Sequence, residues 1–305
     1  MLQIIKSDRF SGEESNVKTK LQYALTLLTS GDFLRVENIC STNVEKNNRL
    51  ELFLLFATYK FKSYEECGSN LTKLSTADRE RAISLLRNAK QPLEVEEVYI
   101  LGYLLYQFKS KEDRLDGLNK MFEAAGSGWT PAIDYLLGYC EDYFSRYPIT
   151  YDSFLGVIVN GSTKAAQAGS LLQDAGDSLV SALKVIGKSN LPDNLRAKFY
   201  EGMFCYIYNE FADGIDPQDM IVKLAQDCFE PAYYLAGLLL FKQTDGEGYM
   251  FLYLAQKNPK YRSNVDVIFN NDLKYTNDFA GKVKEAAKHH ESLCASRLLS
   301  VSVKP

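Results

Sequence analysis

The sequence predicts an all-α protein, built as a right-handed α-α superhelical solenoid of helix-turn-helix repeats. Apolar residues recur at helical spacing along nearly the whole chain of 305 residues. Alternating runs joined by hairpin dipeptides, which would indicate strands, are essentially absent. Counting the apolar stripes between breakers gives about fifteen short helices. Similar segments recur at intervals of 35 and 36 residues, a period typical of helix-turn-helix repeats.

The first helices are predicted from local patterns. The stripes Leu21–Leu28 and Leu50–Phe61 carry apolar residues on one helix face. Ser75 and Asp78 form a capping-box-like pair, whose side chains satisfy backbone N–H groups at a helix start. Pro92, followed by several glutamates, indicates another start, because acidic groups are stabilised at the positive end of the helix dipole.

Internal repetition decides between a globular bundle and a solenoid. Residues 131–138 read Pro-Ala-Ile-Asp-Tyr-Leu-Leu-Gly and are similar to residues 231–237, Pro-Ala-Tyr-Tyr-Leu-Ala-Gly, once a one-residue gap is allowed. The glycine of the first segment lies 36 residues after Gly102, and that of the second lies 35 residues after Gly202. Because one helix pair cannot bury both of its faces, such units stack and bury a continuous core.

These residues resemble the Sel-one-like repeat, a relative of the tetratricopeptide repeat. In that family one helix opens with Ala-x-x-x-Leu-Gly-x-x-Tyr and the second ends with Ala-Ala-x-x-Gly, a pattern that this chain approximates most clearly in residues 95–145 and 200–258. The resemblance implies small residues at close helix contacts, larger ones beside them, and an adaptor or scaffold function. The residues at its packing positions are Gly102, Tyr106, Ala124, Ala125, Ala132, Gly138, Ala232 and Gly237.

The same reasoning divides the chain into four parts. We predict a flexible N-terminus over residues 1–14 and tetratricopeptide-like repeats over 15–90. Sel-one-like repeats follow over 91–275, where residues 146–200 keep only a fragment of the pattern. A C-terminal capping helix and tail occupy residues 276–305.

Charge and cysteine usage narrow the functional class. Residues 1–150 hold 19 basic and 21 acidic side chains, and residues 151–305 hold 16 and 18, so each half is at −2. Nucleic-acid binding needs a positive stripe and is therefore not expected. No apolar run reaches the ~18 residues of a membrane span, so we expect no membrane insertion. The closest of the six cysteines, Cys205 and Cys228, are 23 residues apart, and we expect small buried hydrophobes in a reducing, cytoplasmic or nuclear compartment.

No motif in the sequence predicts catalysis, a cofactor or a metal. Residues 156–163 resemble a phosphate-binding loop but lack its lysine, and residues 246–251 fail the dinucleotide pattern and predict a turn between helices. His289 and His290 are the only histidines. His290 and Cys294 have ligand-like spacing, but a structural zinc site needs four ligands. We expect a solvated histidine pair on a C-terminal helix, and a protein that is not an enzyme.

Aromatic residues are in surplus, with 20 Tyr and 17 Phe. Tyrosines recur every four residues along one predicted helix, from Tyr135 to Tyr147. The first two are expected to pack between repeats. Tyr143 and Tyr147 lie beyond the packing positions and are candidate partner-binding residues, because tyrosine is favoured at interfaces.

The sequence thus predicts an adaptor that binds one or more proteins, holding a peptide or helix on the concave face of the solenoid. One alternative is a co-chaperone that clamps an acidic chaperone tail, for which Lys18, Lys20, Asn38 and Lys60 are candidate donors. The other is an enzyme on a helical scaffold that uses unassigned carboxylates.

Overall fold

The computed structural model describes residues 13–41, 47–70, 73–107, 110–146, 176–191, 193–208, 215–241, 246–272 and 274–302. Within these ranges the chain forms helices and no β-strand. The prediction of an all-α protein is therefore confirmed, whereas the superhelical arrangement stays a prediction. Among the described residues, no helix is both long and apolar enough to cross a membrane.

The chain divides into two compact units, Met1–Asp134 and Tyr135–Pro305. The division falls within a helix, at a point where the sequence patterns predict no boundary. The helices that begin in the first unit are α1 (Glu13–Ser30), α2 (Phe33–Ser41), α3 (Asn48–Thr58), α4 (Tyr64–Ser69), α5 (Thr76–Arg87), α6 (Val95–Tyr106), α7 (Lys111–Gly126) and α8 (Thr130–Arg146).

Side-chain caps fix the starts of several of these helices. The predicted start of α5 is confirmed, because the Ser75 hydroxyl accepts a hydrogen bond from the Asp78 backbone N–H at 3.1 Å. The start predicted after Pro92 is also confirmed, since α6 begins at Val95 and the Glu97 carboxylate accepts from the Glu94 backbone N–H at 2.9 Å. Local sequence therefore sets these helix ends.

Replacing Ser75 by Ala should destabilise the protein by about 1 kcal/mol, because the Asp78 N–H loses its acceptor. The Ser75 hydroxyl and the Tyr59 hydroxyl both hydrogen-bond the Asp78 carboxylate and lower its pKa. The stability that these two hydrogen bonds contribute is complete above the pKa of an unfolded Asp, about 3.9, and is lost as the pH falls below that value. Denaturant unfolding at pH 7 and pH 3 measures both effects. The exposed neighbour Thr76, changed to Ala, is the control, and equal losses in the two variants would contradict the capping role.

Helices α6 and α7 form a hairpin whose backbones touch. A Cβ added to Gly102 would lie 2.7 Å from the Gly117 carbonyl oxygen, and one added to Gly117 would lie 2.5 Å from the Gly102 carbonyl oxygen. No side chain fits between backbones at these distances. Ala124 and Ala125 are buried on α7, and Tyr106 is half-buried with the Arg114 guanidinium 5.3 Å from its ring centroid.

The second unit contains the rest of α8 and seven further α-helices in the described ranges. Around them the chain makes tight turns, including a short 3-10 turn at Glu230–Ala232. The α-helices are α9 (Gly176–Lys188), α10 (Asn194–Tyr208), α11 (Pro217–Gln226), α12 (Tyr233–Leu240), α13 (Glu247–Ala255), α14 (Pro259–Asn271) and α15 (Asn277–Ser302).

The α12–α13 hairpin repeats the close contact seen between α6 and α7. A Cβ added to Gly237 would lie 2.7 Å from Cγ of Leu252, and one added to Gly248 would lie 2.7 Å from the backbone of Leu240. The turn predicted over residues 246–251 is wrong for residues 247–251, which belong to α13. Only Gly246, with φ +154°, precedes the helix. In both hairpins, therefore, each of the two helices carries a glycine where it lies close to the other helix.

The residues predicted to pack between repeats differ in their surroundings. Ala132 and Ala232 are fully buried, but Gly138 is exposed, and a Cβ added to it would meet no atom of the described residues within 4 Å. The match to Gly102 in sequence therefore does not correspond to a match in surroundings. A small residue marks a close helix contact only where a second helix crosses opposite it.

Candidate functional site

The second unit contains a groove of about 800 Å³, which we call the aromatic groove. It is lined by residues of α8, α10, α12, α13, α14 and α15 and of the turns between them. Aromatic side chains form its floor and charged side chains its rim. The floor residues used below are Phe199, Tyr200, Phe229, Tyr233, Tyr234 and Tyr261, and the rim residues are Glu141, Arg196, Glu230, Lys257, Lys260 and Glu291.

Ring contacts hold the floor in place. Tyr234 and Tyr261 stack with ring centroids 4.5 Å apart, which joins α12 to α14. Phe199 contacts Tyr200 at 5.6 Å and Phe229 at 5.7 Å. Burial raises the pKa of Tyr200 to about 12 and also raises the pKa of Tyr261. Both therefore present neutral hydroxyl groups at physiological pH, with an apolar ring and a polar tip.

The rim carries charges of both signs. Arg196 pairs with Asp193 at 3.1 Å and with Glu141 at 3.4 Å. Lys257 pairs with Glu291 of α15. The Lys260 ammonium lies 5.6 Å from the centroid of the Tyr261 ring, a cation–π contact at the groove edge. The rim is thus polar but not strongly basic or acidic.

Of the two predicted partner-binding tyrosines, the structure describes only Tyr143, which does not line this groove. Tyr143 is half-buried, and its ring contacts Phe144 at 5.2 Å and Phe204 at 5.7 Å. Its neighbour Phe144 does line the groove. Tyr147 lies outside the described residues, as does the loop at residues 156–163. The binding role of Tyr143 and Tyr147 stays a prediction.

A second cluster joins α15 to the end of α11. Cys228 and Cys294 form a disulfide with their Cα atoms 5.5 Å apart. The expectation of small buried hydrophobes is wrong for these two, and it holds for Cys40, Cys67, Cys140 and Cys205, which are buried and form no disulfide. The paired cysteines are 66 residues apart in sequence, so only the folded chain brings them together.

The expectation of a solvated histidine pair is wrong for one of the two histidines. His289 is exposed, but His290 is half-buried, with Nε2 lying 3.4 Å from the Tyr233 hydroxyl and 3.4 Å from Cys294 Sγ. Burial and the positive charge of Arg297 lower the pKa of His290. Because its ordinary pKa is about 6.5, the imidazole is neutral at pH 7.

One fully buried carboxylate lies in the first unit. Glu97 is 0 % exposed and accepts two hydrogen bonds from the Arg49 guanidinium, each 2.7 Å long. The Tyr64 hydroxyl donates to the same carboxylate at 3.1 Å. Burial and the charge of Glu97 raise the pKa of Tyr64 well above its ordinary value. Every group in this cluster is engaged by another, which is typical of a structural ion pair.

The candidate donors of a chaperone-tail clamp lie on the first helices. Lys18 and Lys20 belong to α1 and Asn38 to α2. Lys60 lies 3.9 Å from the Glu37 carboxylate, and its ammonium is 5.0 Å from the centroid of the Phe33 ring. Lys60 therefore has an acidic neighbour within the first unit, in an exposed pair of little energetic weight.

No family model, curated protein or solved structure matches this chain. The likeness to Sel-one-like repeats accordingly rests on the sequence motifs quoted above.

Proposed function

We propose that the protein is a non-enzymatic adaptor, which binds a peptide or helix of a partner protein in the aromatic groove. The observation that carries this proposal is the combination of an aromatic floor with a rim of both charges. Such a composition is typical of peptide-binding interfaces, where buried aromatic residues supply most of the binding energy.

The size and polarity of the groove favour a peptide. A volume of about 800 Å³ accommodates several side chains of a bound segment. The half-buried ring of Tyr261, which is ordered by stacking on the buried ring of Tyr234, offers apolar area to a ligand, so little conformational entropy is lost on binding. Rim charges of both signs then select the orientation of the segment. We therefore infer a partner segment with one or two apolar anchors and charged flanks.

Sel-one-like or tetratricopeptide-like stacking would suit this function. In such repeats helix pairs leave an extended concave surface. The paired glycine contacts of the α6–α7 and α12–α13 hairpins support repeated helix pairs. A right-handed superhelix made from these pairs is part of the proposal.

The enzyme alternative has less support. The carboxylates that line the groove, Glu141, Glu230 and Glu291, are all exposed. Glu141 faces Arg196 and Glu291 faces Lys257. A general acid usually occupies a partly desolvated position, whereas these three carboxylates are exposed.

Replacing Tyr261 by Ala should weaken peptide binding at least tenfold, about 1.4 kcal/mol or more, because it removes one face of the stacked floor. A display library of random peptides, selected on the full chain, supplies the ligands, and fluorescence anisotropy measures their affinity. Reversal of the rim charge in Arg196→Glu should change the affinity of charged peptides and its dependence on salt.

Val267→Ala is the matched control. Val267 is 58 % exposed on the same helix, α14, and does not line the groove. Melting temperatures of all variants show whether the fold is kept. Selected peptides that bind Tyr261→Ala and the parent chain equally would place the binding surface elsewhere, and failure to select any peptide would contradict the proposed function.

A further inference from the structure

We propose that Cys228, His290 and Cys294 form a binding site for a soft metal ion of the zinc class, which is open when the two cysteines are reduced and closed when they form the disulfide. The three side chains meet at the end of α11 and on one face of α15. We call them the Cys-His cluster. The cluster adjoins the aromatic groove through Tyr233, which lines the groove and contacts His290 and Cys294, but the metal-binding proposal does not rest on the peptide-binding function.

The donor atoms have the right chemistry and spacing. The two sulfurs and one imidazole nitrogen all lie within 4.8 Å of one another. Thiolate and imidazole are the ligands that zinc prefers in proteins. His290 and Cys294 lie one turn apart on α15, and Cys228 approaches from the facing loop. Two ligands from a helix and one from a loop are a common way to build such a site.

Cys228 occupies a position that helices usually give to glycine. It follows the last turn of α11 with φ +72°, in the left-handed region. Its N–H donates to the Ala225 carbonyl at 3.0 Å, and the Phe229 N–H donates to the Leu224 carbonyl at 2.9 Å, the two hydrogen bonds of a Schellman motif. A side chain here is disfavoured relative to glycine. The motif holds the cysteine sulfur toward α15.

The imidazole is held independently of the sulfurs. His290 hydrogen-bonds to the backbone of Ala225, the residue whose carbonyl also holds Cys228. Its ring makes edge contacts with Tyr233 at 5.7 Å and Phe251 at 5.5 Å. A histidine ligand oriented by a backbone hydrogen bond is the usual arrangement in metal sites. The ring therefore stays in place whether the sulfurs are bonded to each other or to a metal.

We assign the fourth coordination position to a water beside Tyr233. The Tyr233 hydroxyl lies 3.4 Å from His290 Nε2 and 3.9 Å from Cys294 Sγ. It is within hydrogen-bonding reach of a water that completes a tetrahedron around the metal. Three protein ligands and one water distinguish this site from a closed structural zinc site.

Metal and disulfide exclude each other. Zinc–sulfur distances of about 2.3 Å hold two thiolates about 3.8 Å apart, so a covalent bond between the sulfurs cannot coexist with the ion. A phosphine reductant opens the disulfide: the S–S bond breaks, each sulfur gains a proton, and the phosphine takes oxygen from water to become a phosphine oxide. The metal ion then replaces the two thiol protons, which are released.

The experiment uses the full chain and zinc alone. The protein is reduced with a phosphine under anaerobic conditions, the phosphine is removed, and zinc binding is measured by competition with a chromophoric chelator. We expect the reduced protein to bind one zinc ion per chain and the oxidised protein to bind none. Cys228→Ser, Cys294→Ser and His290→Asn should each weaken binding at least tenfold. His289→Asn, which changes the exposed neighbour on α15, should leave the affinity unchanged.

A second measurement needs no variant. In the reduced protein zinc should slow maleimide labelling of Cys228 and Cys294, followed residue by residue with mass spectrometry. It should leave the labelling of the four other cysteines unaffected. Circular dichroism shows whether each variant is folded. Absence of zinc binding by the folded reduced protein would overturn the proposal, as would zinc affinity in folded His290→Asn equal to that of the parent chain.

Discussion

Replacing Arg49 by Met is expected to destabilise the first unit by about 3–5 kcal/mol. The substitution keeps most of the volume of the side chain but leaves the Glu97 carboxylate, which is 0 % exposed, without its cation. Tyr64 and the Glu94 N–H still donate to Glu97, but they carry no charge. Removing one partner of a buried pair leaves an uncompensated buried charge, which is costlier than losing the pair itself.

The double variant Arg49→Met/Glu97→Met tests this explanation. With both charges gone, the site should regain a large part of the stability lost in the single variant. Arg81→Met is the control, because the Arg81–Glu51 pair is much more exposed, and its loss should cost about 1 kcal/mol or less.

Trp129 makes the measurement specific to one unit. It is the only tryptophan of the chain, lies in the first unit, and contacts Tyr99 with ring centroids 4.7 Å apart. Its fluorescence in urea therefore reports the unfolding of the unit that contains Arg49, while circular dichroism reports both units. If the single and double variants lost equal amounts of stability, burial of an unpaired charge would not be the cause of the destabilisation.

Features set by neighbours in sequence are those that the sequence predicted well. The cap at Ser75 depends on a residue three positions away, and helical spacing is visible in any window of the chain. Gly102 was identified through its repeated motif, and it does lie at a close helix contact. Gly138 carries the same motif and is exposed. The motif shows that the residue is small, but it does not show whether a second helix crosses at that position.

Most of the two sites could not be predicted from the sequence, because their residues come from helices and turns that are distant along the chain. The aromatic groove combines Tyr200, Tyr234 and Tyr261 from three helices, with no periodicity linking them. Cys228 and Cys294 are 66 residues apart, so spacing rules for metal ligands do not detect them. The signals that did exist were the surplus of tyrosine and the four-residue spacing of His290 and Cys294. Both signals indicate which residue types form a site, but they do not show which distant residues meet in the folded chain.

The second large effect is expected at the glycine crossing of α6 and α7. Gly102→Leu should destabilise the first unit by about 1–3 kcal/mol or more through overpacking. A Cβ at this position lies 2.7 Å from the Gly117 carbonyl oxygen and 2.9 Å from the Met121 backbone nitrogen. These are backbone atoms of a helix, so they give way only if the two helices separate.

Gly102→Ala is the more discriminating substitution. Alanine is a better helix former than glycine by about 1 kcal/mol, so a site with free space would be stabilised. At Gly102 the clash should outweigh this gain and the variant should unfold at lower urea, measured by Trp129 fluorescence. Gly117→Ala should behave similarly, since its Cβ would lie 2.5 Å from the Gly102 carbonyl oxygen.

In the second unit, two Gly→Ala substitutions should change the stability in different directions. Gly237→Ala should destabilise, because its Cβ would lie 2.9 Å from the Leu252 backbone nitrogen. Gly138→Ala, in the same unit but with no atom of the described residues within 4 Å of the added Cβ, should be neutral or stabilising by up to about 1 kcal/mol. Thermal unfolding followed by circular dichroism separates the two. If both alanine variants had a raised melting temperature, the close helix crossing at Gly237 would be contradicted. The spacing of the helix pairs would then be set by larger side chains such as Met121 and Leu252 and not by glycine.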